Sequence, residues 1–146
     1  MRIFVSYSHQ DEGLRSKFAE QLQILVNLGV IRPWYDRMIE VGKEWEQQIL
    51  RQLSSSRIIL LLVSPSLCAS KYAYGVEVQR AMALHRRGKA RVLPIILRPT
   101  PLLDHMPFGE LQALPTDGRP VTRWGNRDEA FASIAKSLFD VARGMR

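Results

Sequence analysis

Six consecutive apolar residues, Ile58-Ile59-Leu60-Leu61-Leu62-Val63, constrain the fold of this chain more than any other feature. The run is far shorter than the roughly 20 residues needed to span a bilayer. With no polar residue to face water, it suits a central strand buried on both faces, the mark of a parallel sheet covered by helices. The flanking segments supply that cover. Ile3-Phe4-Val5 reads as a strand, and Leu14, Phe18, Leu22 and Leu25 follow at helical spacing until Gly29 stops the helix. Val30 to Asp36 reads as a second strand, Arg37 to Gly42 as a loop, and Trp45, Ile49 and Leu53 as one face of the next helix.

Beyond the apolar run, Ser70 is the expected N-cap of a helix from about Lys71 to Arg87, ended by Gly88. Val92 to Leu97 is a fourth strand, in which Pro94 argues for an edge, a bulge or an early stop. Pro107, Gly109 and Pro115 leave room for at most a short helix between Leu102 and Pro115, and Pro120-Val121-Thr122 reads as a weak edge strand. Asn126 and Glu129 resemble a capping box opening a last helix lined by Phe131, Ile134, Ala135, Leu138 and Ala142. This alternation predicts one α/β domain over residues 1–146, a flavodoxin-like three-layer sandwich. Its parallel sheet is expected to have five strands in the order 2-1-3-4-5. Ligands on such sheets bind beyond the carboxyl ends of the strands. Here those ends are Ser6-Tyr7-Ser8-His9, Asp36-Arg37, Ser64-Pro65-Ser66 and Arg98-Pro99.

Composition narrows the chemistry. The single cysteine, Cys68, rules out an internal disulfide framework and a multi-cysteine zinc site. The N-terminus runs directly into serines and charges, unlike a signal peptide, so the cytosol is the expected compartment. Lys plus Arg number 21 against 14 Asp plus Glu, and the surplus is local. Residues 47–100 carry nine basic side chains and one acid, Glu77. Such a surplus is either a solvated cationic face or an attraction for phosphate. Without aromatic-basic interleaving, finger spacing or a basic helical arm, nucleic acid is not an expected partner of this domain alone; a nucleic-acid-binding module using this basic stretch, with affinity falling steeply with salt, stays as a further alternative.

Several chemistries lack their residues. The turn after the first strand has no Gly-x-Gly for a dinucleotide, no Gly-Lys-Ser/Thr forms a P-loop, and Ser64 stands where a phosphoacceptor aspartate would. No Gly-x-Ser-x-Gly elbow is present, and His9, His85 and His105 are scattered. Cys68 reads as a half-buried apolar side chain, the alternative being a thiol activated at a helix start. Glu77 remains. It lies among Tyr72, Tyr74 and Val76 on a helix bordering the expected crevice, where burial disfavours its charge and nearby cations favour it. The alternative is a solvated i,i+3 pair with Arg80.

The residues carry a family resemblance over about Met1 to Ala142. Ile3 to Glu12 (IFVSYSHQDE) resembles the first strand and loop of TIR domains (Toll/interleukin-1 receptor type), especially bacterial ones. Trp34-Tyr35-Asp36 with Val41-Gly42-Lys43-Glu44-Trp45 resembles their second strand, BB loop and next helix. Ile59 to Ser70, Val92 to Pro99 and Pro107 to Pro115 complete the order.

The resemblance implies an NAD glycohydrolase, an enzyme that releases nicotinamide and yields ADP-ribose or a cyclic isomer. NAD would be its substrate, with neither cofactor nor metal. Glu77 matches the family's catalytic glutamate. Tyr7, Ser8, His9, Asp36, Lys43 and Trp45 match substrate-bordering positions, and Tyr72 or Tyr74 would supply an aromatic surface where relatives often carry Trp and this chain has Ala73. The resemblance further implies activation by self-association with other TIR domains, a fused or associated sensing domain in a longer protein, no membrane partner, and a role in antiphage defence. The alternative it leaves open is a non-catalytic TIR–TIR interaction module.

Overall fold

In the computed structural model, which describes residues 1–36, 45–70 and 73–145, the apolar run becomes an interior strand. Ile58–Val63 forms β3, with all six residues buried. It pairs in parallel with β1 (Arg2–Ser6) on one side and β4 (Arg91–Ile96) on the other, and β2 (Arg32–Tyr35) adds to the far edge of β1. The sheet order is β2-β1-β3-β4.

Side chains alternate across the strands and divide the core in two. Ile3 and Val5 of β1 and Ile58, Leu60 and Leu62 of β3 pack against Phe18, Leu22, Phe131, Ile134 and Leu138. Those helical residues belong to α1 (Glu12–Asn27) and α5 (Arg127–Gly144). On the opposite face Phe4, Ile59, Leu61 and Val63 meet Ile49, Leu53, Ala81 and Leu84, carried by α2 (Trp45–Ser55) and α4 (Gln79–Arg86). Each fully buried aliphatic or aromatic side chain contributes about 1.5–3 kcal/mol relative to exposure. Both layers are therefore needed to offset the chain entropy.

The helix stops follow local rules. Gly29 adopts φ +73° after α1. Its N–H bonds Val26 O at 2.9 Å and that of Val30 bonds Leu25 O at 3.0 Å, a Schellman closure that favours glycine. Gly88 (φ +70°) repeats this after α4. Asn126 caps α5 by accepting from Glu129 N at 3.1 Å, as its sequence pattern predicts.

Two expectations are corrected. Among the described residues the sheet has four strands, not five. Pro120-Val121-Thr122, expected as an edge strand, belongs to a 3-10 turn over Val121–Arg123. The place beside β4 holds only Leu114, whose N–H donates to Pro94 O and whose carbonyl accepts from Ile96 N, both at 2.8 Å. Pro115 follows without an N–H, and Pro94 turns its own missing donor to the same side, so the ladder cannot extend. The second correction concerns the stretch after β3, expected as one helix from about Lys71 to Arg87. Ser64 accepts from Leu67 N at 3.1 Å and opens a separate short helix, α3 (Pro65–Ala69), with Pro65 in the first turn. Ser70 ends α3, and a π-helical segment, Ala73–Val78, precedes α4.

Candidate active site

Glu77 lies on the π-helical segment, where i→i+5 bonding is rare and concentrates at functional sites. Its side chain is 1% exposed, so it does not stand on a solvated helix face beside Arg80. The Ser6 hydroxyl donates to Glu77 Oε2. Ser6 ends β1, and alternation from Phe4 directs it to the α2–α4 side of the sheet. A carboxylate carried by a segment far along the chain thus meets the exit of the first strand.

The other expected site residues divide. Asp36 is buried just after β2, its N–H bonded to Val5 O at 3.2 Å. Ser8 is nearly buried and its Oγ accepts from Gln10 N at 3.3 Å, capping the 3-10 turn His9–Asp11; His9 is exposed. Tyr7 does not face Glu77. One residue beyond Ser6, it turns to the α1 side, edge-on to Tyr35 at 6.5 Å between ring centroids. Lys43 and Tyr72, and the side chains of Trp45 and Tyr74, lie outside the described residues. Cys68 is half-buried and burial pushes its thiol pKa up, as for an apolar packing residue and against an activated thiol.

Sequence reasoning missed the clasp that joins three strand exits. Buried Asp11 accepts from Ser64 Oγ at 2.5 Å and from Arg98 Nε at 2.9 Å, while Arg98 Nη2 donates to Ser66 Oγ at 2.8 Å. Ser64, Ser66 and Arg98 stand at strand exits singled out from the sequence, and Asp11 lies two residues beyond another, Ser6 to His9. Their pairing, across 53 and 87 positions, leaves no local signal. Asp11, Ser66 and Arg98 also line a large cleft of about 960 Å³, together with Lys17, Trp124 and Arg127. Neither Glu77 nor Ser6 lines that cleft, which opens on the α1–α5 side.

A second cluster controls Tyr7. The Arg15 guanidinium lies over the rings of Tyr35 (4.8 Å) and Tyr7 (5.6 Å) and bonds the Glu12 carboxylate. That bond holds Glu12 below the usual carboxylate range. Burial, then a hydrogen bond to Glu12, raises the Tyr7 phenol above its ordinary value of 10.0. A group with a raised folded-state pKa contributes stability that is complete below the unfolded value and lost as pH rises past it. The melting temperature should therefore fall above about pH 10, and less steeply in Tyr7→Phe. Equal slopes for the two proteins would contradict this.

The order of elements, the parallel sheet and the strand-exit residues have a counterpart among known proteins. The TIR domain family model matches residues 3–133. This chain belongs to the TIR domain family. The TIR domain is 47% identical over 140 residues to an uncharacterised protein, y4lF, of Sinorhizobium fredii (strain NBRC 101917 / NGR234), across 96% of this chain and 43% of that protein. The chain therefore spans less than half of that relative's length. It also superposes on the TIR domains of the activated Roq1 resistosome, which directly recognises the pathogen effector XopQ. That match has a TM-score of 0.57 at 16% identity, covering 97% of this chain and 83% of the other, and it establishes likeness of fold. Among the described residues no helix of this TIR domain is long and apolar enough to cross a membrane.

Proposed function

We propose that this TIR domain is an NAD glycohydrolase with Glu77 as its essential carboxylate. The observation that carries the reading is a buried glutamate oriented by the Ser6 hydroxyl at a strand exit, where ligands of such sheets bind. The large cleft offers no equivalent. Of its two carboxylates, Asp11 is engaged by Ser64 and Arg98, and Asp128 is exposed.

Breaking the nicotinamide–ribose bond sends the electron pair to the nicotinamide nitrogen and leaves positive charge on the ribose. A fixed anion beneath that ribose stabilises the developing oxocarbenium ion without reorganising during the reaction. Water attack then gives ADP-ribose and a proton, whereas attack by the substrate's own adenine gives a cyclic isomer. Asp36, Ser8 and His9 would border the substrate, with Tyr7 acting from the other face of the sheet through the loop they share. Lys43 and Trp45 would complete the ribose and nicotinamide side, and Tyr72 or Tyr74 the aromatic surface that Ala73 does not supply.

Activity depends, in this reading, on self-association through the loop from Arg37 to Gly42 and on a sensing domain, with antiphage defence as the setting and the cytosol as the compartment. The test is incubation of concentrated protein with NAD and chromatographic identification of products. Nicotinamide release rising faster than linearly with protein concentration is the expected result. Intact NAD, even with the domain fused to an oligomerising partner, would leave the TIR–TIR interaction module as its function.

A further inference from the structure

The cationic surplus of residues 47–100 does not gather around Glu77. Arg57, Arg86, Arg87, Lys89 and Arg91, five of its nine basic residues, stand at the opposite end of the domain, where strands begin and helices end. There they join two arginines from earlier in the chain. Arg32 of β2 is in register with Arg2 of β1; Arg57, just before β3, donates its N–H to Arg2 O at 2.9 Å; Arg91 of β4 donates to Arg57 O at 2.9 Å. Arg32, Arg2 and Arg57 thus stand side by side at the start of three strands, at the strand spacing of about 4.8 Å and on the α2–α4 side of the sheet, whereas Arg91 is in register with Ile58 and turns to the opposite face.

All three arginines of the row are exposed, and among the described residues none has an acidic partner within ion-pair distance. Arg86 and Arg87 are accounted for by the negative end of α4. The row is not, because it stands at strand starts and not at a helix C-terminus. Arg2 and Arg32 also flank a cleft of about 230 Å³ with Trp34, Gln52 and Ser56. A line of arginines beside a recess of that size matches a protruding phosphate better than a flat bilayer. Arginine, whose fork bonds two phosphate oxygens at once, fits phosphodiesters better than lysine does.

We infer that the strand-start edge of the domain, the row Arg32-Arg2-Arg57, is a binding face for the phosphodiester backbone of nucleic acid. The face lies at the other end of the sheet from Glu77 and stands whether or not NAD is cleaved. It reads phosphate and not sequence, so duplex DNA and duplex RNA should both bind.

The test is fluorescence anisotropy of the 146-residue chain with labelled duplexes of about 20 base pairs across a salt series. Three arginine–phosphate contacts predict a slope of log affinity against log salt of about −2.7. Arg2→Glu/Arg57→Glu should weaken binding at least about tenfold and make the slope shallower by about 2, whereas Arg2→Lys/Arg57→Lys should keep the slope. Arg123→Glu/Arg127→Glu makes the same change in net charge at the strand-exit end and should leave the slope unaltered. Equal losses from the two glutamate pairs would overturn the assignment, since net charge alone would then suffice. Absence of binding at low salt would also overturn it, as would capture by acidic phospholipid vesicles without affinity for either duplex.

Discussion

Glu77→Gln is expected to lower nicotinamide release by roughly 10²–10³-fold or more, the scale on which loss of one preorganised electrostatic group is felt. The substitution keeps the side chain's size and its capacity to accept from Ser6, while removing the charge that faces the developing oxocarbenium ion. The loss should fall on kcat, with KM little changed, because the charge is needed in the transition state and not in ground-state binding. Folding should not suffer. A carboxylate that is 1% exposed costs desolvation energy wherever it sits, so the glutamine variant should melt at the same temperature or higher. Ser6→Ala should reduce turnover less, since it removes the orienting hydroxyl and leaves the charge. Nicotinamide release by Glu77→Gln at the unmodified rate would end the assignment.

Phe131→Ala is expected to cost about 3–5 kcal/mol of stability, a large fraction of the 5–15 kcal/mol typical of a whole domain. The ring is fully buried on α5 and stacks on Phe18 of α1, with centroids 5.3 Å apart and planes at 22°. The two rings bridge the helices of one layer over Ile3, Val5 and Leu60. Neither α1 nor α5 can move in to fill the gap without leaving the sheet. Phe18→Ala should cost a similar amount, and the double variant less than the sum, because each single change already removes the stacking contact. Denaturant unfolding of the four proteins measures this. Strict additivity would mean that the rings contribute only separate burial.

These outcomes bear on what was legible in advance. The Ile58–Val63 run sufficed for an interior parallel strand because only burial on both faces tolerates six apolar residues in sequence. Gly29, Gly88 and Asn126 marked helix ends correctly because capping depends on neighbours within a few positions. The fifth strand failed for a reason also present in the sequence, the prolines at 94 and 115. Its force depends on which side of β4 the missing donors face, and that is a property of the assembled sheet. The short helix α3 went unread because Ser64 looked like the tip of a strand, although a serine followed by proline is itself a helix-start pattern.

At the candidate site, Glu77 stood out as the lone acid among 54 residues from 47 to 100, and its burial agrees with the reading that singled it out. Its partner did not stand out, because Ser6 and Tyr7 look equally suited until alternation along β1 sends one to Glu77 and the other to Arg15.

What the amino-acid order determined by itself is the layered α/β architecture, its helix caps and the family, all of which rest on periodicity and short-range hydrogen bonding. What only the tertiary structure decided is every arrangement made by strands lying side by side: the Ser6–Glu77 bond, the Asp11–Arg98 clasp and the row of Arg2, Arg32 and Arg57. The physical reason is that a parallel sheet places residues some 30 positions apart within about 5 Å of one another, so charges dispersed along the chain become a single face only once the sheet has formed.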